Sequence, residues 1–171
     1  MEVAIVDVEV VEVVDPSLPV AEVAGALART KADGYDSSLL KPDEILLTAD
    51  TVVVVDERVM GKPHGRDQAV AMLHSLSGKT HTVYTGVCLR SPDRDVLFTE
   101  RTDVHFKTLS DGEIIHYVDT FKPFDKAGAY GIQEWIGMIG IDRIEGDFYN
   151  VMGLPVAHTY QVLCNMFNLI V

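Results

Sequence analysis

Residues 46–63 read LLTADTVVVVDERVMGKP, and this stretch decides the fold. Leu46, Leu47, Ala49 and the run Val52 to Val55 have the composition of a strand buried on both faces. Asp50 and Thr51 interrupt it. An unpaired carboxylate in an apolar strand is costly, so Asp50 is expected beside a cation or hydrogen-bond donors, or where the strand meets a wet cleft. Past the valines, Asp56 and Glu57 read as the turn of a hairpin that delivers Gly61, Lys62 and Pro63 to its far end.

Upstream, Val20, Val23, Ala24, Leu27 and Ala28 follow helical spacing after Pro19, a residue suited to a first turn. Lys31 lies on the same face, where it either snorkels to solvent or points into a site. The segment from residue 2 to 14 reads as a strand, closed by DPSLP. Downstream, RDQAVAMLHSLSG predicts a helix stopped at Gly78, with apolar positions 69, 70, 72, 73 and 76. THTVYTGVCL and DVLFTERTDVHFK predict two strands around the turn residues RSPDRD. SDGEIIHYVDTF opens with a capping box, Ser110 and Glu113, and predicts a helix. KPFDKAGAYGIQ predicts a glycine-punctuated loop, IGMIGIDRIEGD a strand and LPVAHTYQVLCNMF a closing helix. Helices alternate with strands, but the hairpin breaks a pure βαβ pattern. The expected class is α/β, a mixed, twisted sheet flanked by helices, forming one domain over residues 1–171.

With 47% hydrophobic residues, a chain of 171 residues can build a substantial core. Its net charge of -12 argues against a nucleic-acid polymer as partner, because phosphate-backbone binding is driven by Lys and Arg. A small phosphorylated ligand, held by a few local cations, stays compatible. Cys88 and Cys164 form no CxxC and read as core thiols of a reducing compartment. No signal-peptide pattern opens the sequence, and no apolar run reaches the roughly twenty residues of a membrane span. A soluble cytoplasmic protein without a membrane partner is expected.

Several familiar chemistries fail on spacing. SGKT at 77–80 has Leu73 where a P-loop needs glycine and follows a helix instead of preceding one. GAYG at 128–131 lacks the dinucleotide-binding spacing. His64, His74, His81, His105, His116 and His158 make no helical H-x-x-x-H pair for zinc, and there is no G-x-S-x-G. Lys62 in GKP and Lys126 in DKAGAYG are either solvated loop lysines or part of a site. With Lys31 and Asp50 they form the residue set that attack on a polyphosphate requires. A carboxylate holds Mg²⁺ or activates water, while metal and lysines neutralise developing charge.

ADTVVVVDERVMGKP, AVAMLHSLSGKTHTVYTGVCL, DKAGAYGIQ and IEGDFYNVMGLP resemble, in order and spacing, the Maf family of nucleoside triphosphate pyrophosphatases, from about Lys31 to Pro155. The branch it most resembles acts on dTTP and UTP, since Thr51 follows the acid and the glycine-rich loop ends in GIQ. The resemblance implies hydrolysis between the α and β phosphates, to a nucleoside monophosphate and pyrophosphate, with a divalent cation, Mg²⁺ or Mn²⁺. By the same resemblance Asp50 is the proton acceptor, Thr51 and Gln133 select the base, and Lys31, Lys62 and Lys126 contact phosphates.

The front of the chain departs from the family. The usual strand and S-x-S-P-R-R loop are not among its residues, so the resemblance implies a domain shortened at its N-terminus. The family's acidic DVDE is blurred into DVEVVEV, where Glu9 or Glu12 is the remnant; Glu9 is the expected metal ligand beside Asp50. Loss of the paired arginines leaves a second function open, a nucleotide-binding or regulatory module without turnover. A sheet edge left bare by a missing strand invites pairing of two copies, a homodimer.

Overall fold

The computed structural model of the protein describes residues 2–11 and 13–167. Its strands are β1 (Leu46–Val55), β2 (Arg58–Met60), β3 (Thr80–Arg90), β4 (Asp95–Phe106) and β5 (Ile141–Glu145), in the sheet order β2-β1-β3-β4-β5. The helices are α1 (Val20–Asp33), α2 (Arg66–Leu76), α3 (Asp111–Phe121), α4 (Trp135–Gly140), α5 (Phe148–Met152) and α6 (Val156–Phe167). This is the α/β class expected from the alternation of patterns. The chain divides into two compact units, Met1–Asp50 with Gly86–Thr99, and Thr51–Thr85 with Glu100–Val171. Thus β1, β3 and β4 each contribute residues to both units.

In the first unit α1 begins after Pro19 and buries Val23, Ala24, Leu27, Ala28 and Ala32, the face predicted by its spacing. Ala28, Ala32, Leu46 and Cys88 form a small core on which Tyr35 and Leu40 pack. Small residues let the helix come close to β3: a Cβ on Gly86 would stand 2.4 Å from the backbone of Ala24 and Gly25. Residues 2–11 and 13–14 are in neither strand nor helix, which corrects the strand predicted there. Their alternation of valines and acids suits a pleated edge, but Val3, Ile5, Val11 and Val13 are exposed. Val8 and Val10 reach the end of α1, where they close over Gly34.

The second unit holds the larger core, built around Val53, Val55, Leu73, Leu76, Val83, Val104, Ile114, Tyr117 and Ile136. Leu73 and Leu76 of α2 are fully buried, each contributing roughly 1.5–3 kcal/mol. Asp56 and Glu57 both adopt left-handed backbone (φ 49° and 60°), the tight hairpin turn predicted, and β1 and β2 pair antiparallel with Val53 opposite Met60. The capping box of α3 is formed: the Ser110 hydroxyl accepts from the Glu113 N–H at 3.3 Å, and the Glu113 carboxylate accepts from the Ser110 N–H at 2.7 Å. β4 and β5 pair antiparallel, with a bulge between His105 and Phe106.

The predicted strand IGMIGIDRIEGD is strand only from Ile141; Trp135–Gly140 is α4. Gly137 explains the difference. A Cβ there would lie 1.9 Å from the Ile132 carbonyl oxygen, so the chain folds back on itself more tightly than an extended strand can.

Candidate active site

In the first unit Lys31 leaves the last turn of α1 and reaches the end of Asp50's strand segment. Its ammonium donates to the Asp50 carboxylate and, at 3.4 Å, to the Ala49 carbonyl. The cation expected beside a carboxylate in LLTADTVVVV is Lys31. Both side chains are mostly sequestered, with 30% and 13% of their surface exposed. Beside them a cavity of about 740 Å³ is lined by residues 6–11, Lys31 and Leu46 to Ala49. Glu9 is on that lining, as is Asp7. Glu12 lies outside the described residues.

In the second unit two loops are joined by one backbone hydrogen bond, from the Gly128 N–H to the Gly61 carbonyl at 3.2 Å. It brings the GKP and DKAGAYG segments, and so Lys62 and Lys126, into one neighbourhood. Gly128 sits in left-handed backbone (φ 68°) with its missing Cβ facing Val53 at 3.2 Å, so only glycine fits there. Asp125 responds to both lysines: its hydrogen bond to Lys126 first, and the charge of Lys62 to a lesser degree, hold its carboxyl below the usual range. Lys126 also pairs with Glu134 at 3.3 Å. Partial burial opposes its charge, yet Asp125 and Glu134 together outweigh it, and the ammonium's pKa lies above the ordinary lysine value.

Glu134 is itself anchored. It accepts a short hydrogen bond from the Tyr117 hydroxyl, which accepts from the Gly131 N–H at 3.0 Å. Tyr117 is fully buried, and burial followed by the Glu134 contact pushes its phenol well above the normal range. A Cβ on Gly131 would meet Glu134 at 3.0 Å and Lys126 at 3.1 Å, so the glycine is what allows the pair to close. Gln133, next to Glu134, is exposed and lines a cavity of about 440 Å³ with Ile132, Gly137, Arg143 and Phe148.

Thr51 follows Asp50 in sequence and belongs to the second unit. Its hydroxyl meets the Thr85 hydroxyl at 2.9 Å, and Thr85 donates to the Asn150 carbonyl at 2.8 Å. The Asn150 side chain donates to Val83 and Thr102. Tyr117, Glu134, Thr85 and Asn150 were not singled out by sequence reading. Asn150 lies in the quoted IEGDFYNVMGLP, but Tyr117 looks like one more apolar position of α3 and Thr85 like one more strand residue.

Lys79 of SGKT pairs with Asp56 at 2.7 Å. Among the described residues no group of three or more His, Cys, Asp or Glu is placed to hold a metal ion. Nor, among them, is any helix long and apolar enough to cross a membrane. Cys88 and Cys164 are free thiols, and burial, then its contact with Asp95, pushes the Cys88 thiol up to about 11.

The first unit thus holds a lysine-paired acid, and the second a glycine-built loop pair that carries Lys62 and Lys126. The Maf-like protein family model matches residues 1–166, and the chain belongs to that family. The match extends well ahead of Lys31, where the resemblance seen in the sequence begins. A dTTP/UTP pyrophosphatase of Bacteroides thetaiotaomicron is 54% identical over 155 residues, covering 88% of this chain and 79% of that protein. One of Parabacteroides distasonis is 49% identical over 161 residues (92% and 83%). One of Flavobacterium johnsoniae is 42% identical over 165 residues (96% and 84%).

Proposed function

We propose that the protein hydrolyses nucleoside triphosphates of the dTTP and UTP class to the monophosphate and pyrophosphate. The observation that carries this is family membership over residues 1–166, with relatives named dTTP/UTP pyrophosphatase at 54% and 49% identity. In this function Asp50 accepts the proton of the attacking water. Lys31 orients its carboxylate and exchanges that contact for substrate phosphate. Lys62 and Lys126 are point charges for the polyphosphate, which suits the flexible stem and rotatable donors of lysine. Thr51 and Gln133 present hydrogen-bonding groups to the pyrimidine edge.

A divalent cation, Mg²⁺ or Mn²⁺, belongs to this chemistry. The donor set fits: such ions take oxygen ligands and use one or two carboxylates with phosphate and water, not an all-protein cage. Asp50 and the cavity-lining Glu9 are the residues that would hold it. When bound, the ion would neutralise charge on the phosphate oxygens. Abundant nucleoside triphosphate and two free thiols suit a cytoplasmic location.

Purified protein incubated with UTP or dTTP and Mg²⁺ is expected to release pyrophosphate, with chelation abolishing release. Asp50→Asn should lower kcat by about 10²–10⁴ while remaining folded, the range typical of a general base. Nucleotide-dependent melting without turnover would instead establish a binding module.

A further inference from the structure

Thr85 settles which way the Thr51 hydroxyl points, and through that the polarity of group Thr51 can read. A threonine hydroxyl has one proton to give and lone pairs to accept with. Thr85 is fully buried and its proton is committed to the Asn150 carbonyl, which can only accept, at 2.8 Å. In the 2.9 Å contact between the two hydroxyls Thr51 is therefore the donor and Thr85 the acceptor. Thr51's only proton is consumed, and what its oxygen offers a ligand is a lone pair.

Thr51 is half-buried, and its oxygen lies beside Gly153. A Cβ built on Gly153 would come within 3.5 Å of the Thr51 hydroxyl and, outside its chain neighbours, nothing else within 4 Å. Gly153 has φ 113°, a conformation L side chains rarely adopt, so a glycine keeps this approach open. The Asn150 carbonyl is fixed in turn: its residue is fully buried, its side-chain amide donates to the Val83 carbonyl at 3.2 Å and to the Thr102 hydroxyl at 2.9 Å.

We infer that Thr85 is a specificity-positioning residue, which fixes Thr51 as a hydrogen-bond acceptor and so selects a nucleobase presenting an imide N–H, uracil or thymine, over cytosine, whose ring nitrogen at that place is itself an acceptor. This rests on the proposed function, in which Thr51 faces the base. With cytosine two lone pairs meet and neither hydroxyl can turn to relieve them, because turning Thr51 would strip Thr85 of its donor. A site that loses one such hydrogen bond discriminates by about tenfold or more.

The test compares kcat/KM for UTP and CTP in wild type, Thr85→Val and Thr85→Ser. Valine removes the acceptor for Thr51's proton and frees that hydroxyl to donate. The UTP/CTP ratio should fall about tenfold, with CTP turnover rising in absolute terms, a gain that structural damage does not produce. Serine, which keeps the hydroxyl, should retain the wild-type ratio. A parallel fall for both substrates, or serine behaving as valine does, overturns the inference. If Thr85→Val fails to fold, the wild-type protein decides with 3-deaza-UTP, in which the imide N–H is a C–H: about tenfold poorer turnover than UTP is expected, and equal turnover overturns the inference. Wild-type protein that turns over no pyrimidine triphosphate defeats the proposed function, and this inference with it. Turnover of UTP with an unshifted ratio defeats the inference alone.

Discussion

Lys31 and Lys126 are assigned the same task, yet the two units hold them differently. In the first unit Lys31 donates to the Asp50 carboxylate and the Ala49 carbonyl, beside a cavity bordered by backbone in neither strand nor helix. In the second, Lys126 is backed by Glu134, Glu134 by Tyr117, and Tyr117 by the Gly131 N–H inside the larger core. One charge is held by the acid it serves; the other is held by the exposed Asp125 and, from behind, by a partly buried network. The first arrangement lets the cation trade partners when a phosphate arrives. The second gives a preformed charge whose position depends on the integrity of the core.

The comparison is broken most severely at the contact that seats α1. Gly86→Ala would force a methyl to 2.4 Å from the Ala24 backbone, and no side-chain rotation relieves a backbone clash. It should destabilise the protein by about 3 kcal/mol or more, read as a large fall in melting temperature. Insertion of the methyl without loss of stability would mean that α1 does not depend on that close approach.

A pH titration probes the second unit's core. Burial, then the nearby His105, lowers the pKa of His81 from 6.5 to about 4. Above pH 6.5 the imidazole is neutral both folded and unfolded and costs nothing. As pH falls from 6.5 towards 4 the unfolded chain takes up the proton first, so stability is lost, approaching about 3 kcal/mol in total. Melting measured from pH 7 to pH 4.5 should show this slope, and His81→Gln should flatten it. An equal slope in both proteins would remove His81 as its cause.

Tyr117→Phe isolates the backing of Lys126. It leaves the Glu134 carboxylate and the Gly131 N–H each short of a partner and should cost about 1–3 kcal/mol. Turnover should fall as well, because the network that holds Lys126 is loosened. If turnover falls and melting does not, the network positions without stabilising, and the contrast with Lys31 narrows. At the small end, Lys79→Gln should leave turnover and melting unchanged, since among the described residues the Lys79 ammonium pairs with Asp56 on the surface. A loss of activity there would reopen SGKT as a phosphate loop.

The hairpin at Asp56 and Glu57, the capping box at Ser110 and the buried faces of α1 and α2 were legible in sequence because each depends on residues a few positions apart. The strand predicted over residues 2–14 failed for the opposite reason. Alternation shows that a segment could pair, but pairing needs a neighbour elsewhere in the chain. IGMIG was misread because the close approach of Gly137 to the Ile132 carbonyl is a matter of three-dimensional packing. In the site, Asp50 announced itself by standing in an apolar strand, and its need for a cation was foreseeable. Thr85 was not, because its meaning lies in a hydrogen bond to Asn150, 65 residues away.

The central claim is that this protein cleaves between the α and β phosphates. It is tested most directly by separating the products formed from UTP with Mg²⁺: UMP and pyrophosphate in equal amounts are predicted, while UDP with orthophosphate, or UTP left intact, would contradict it.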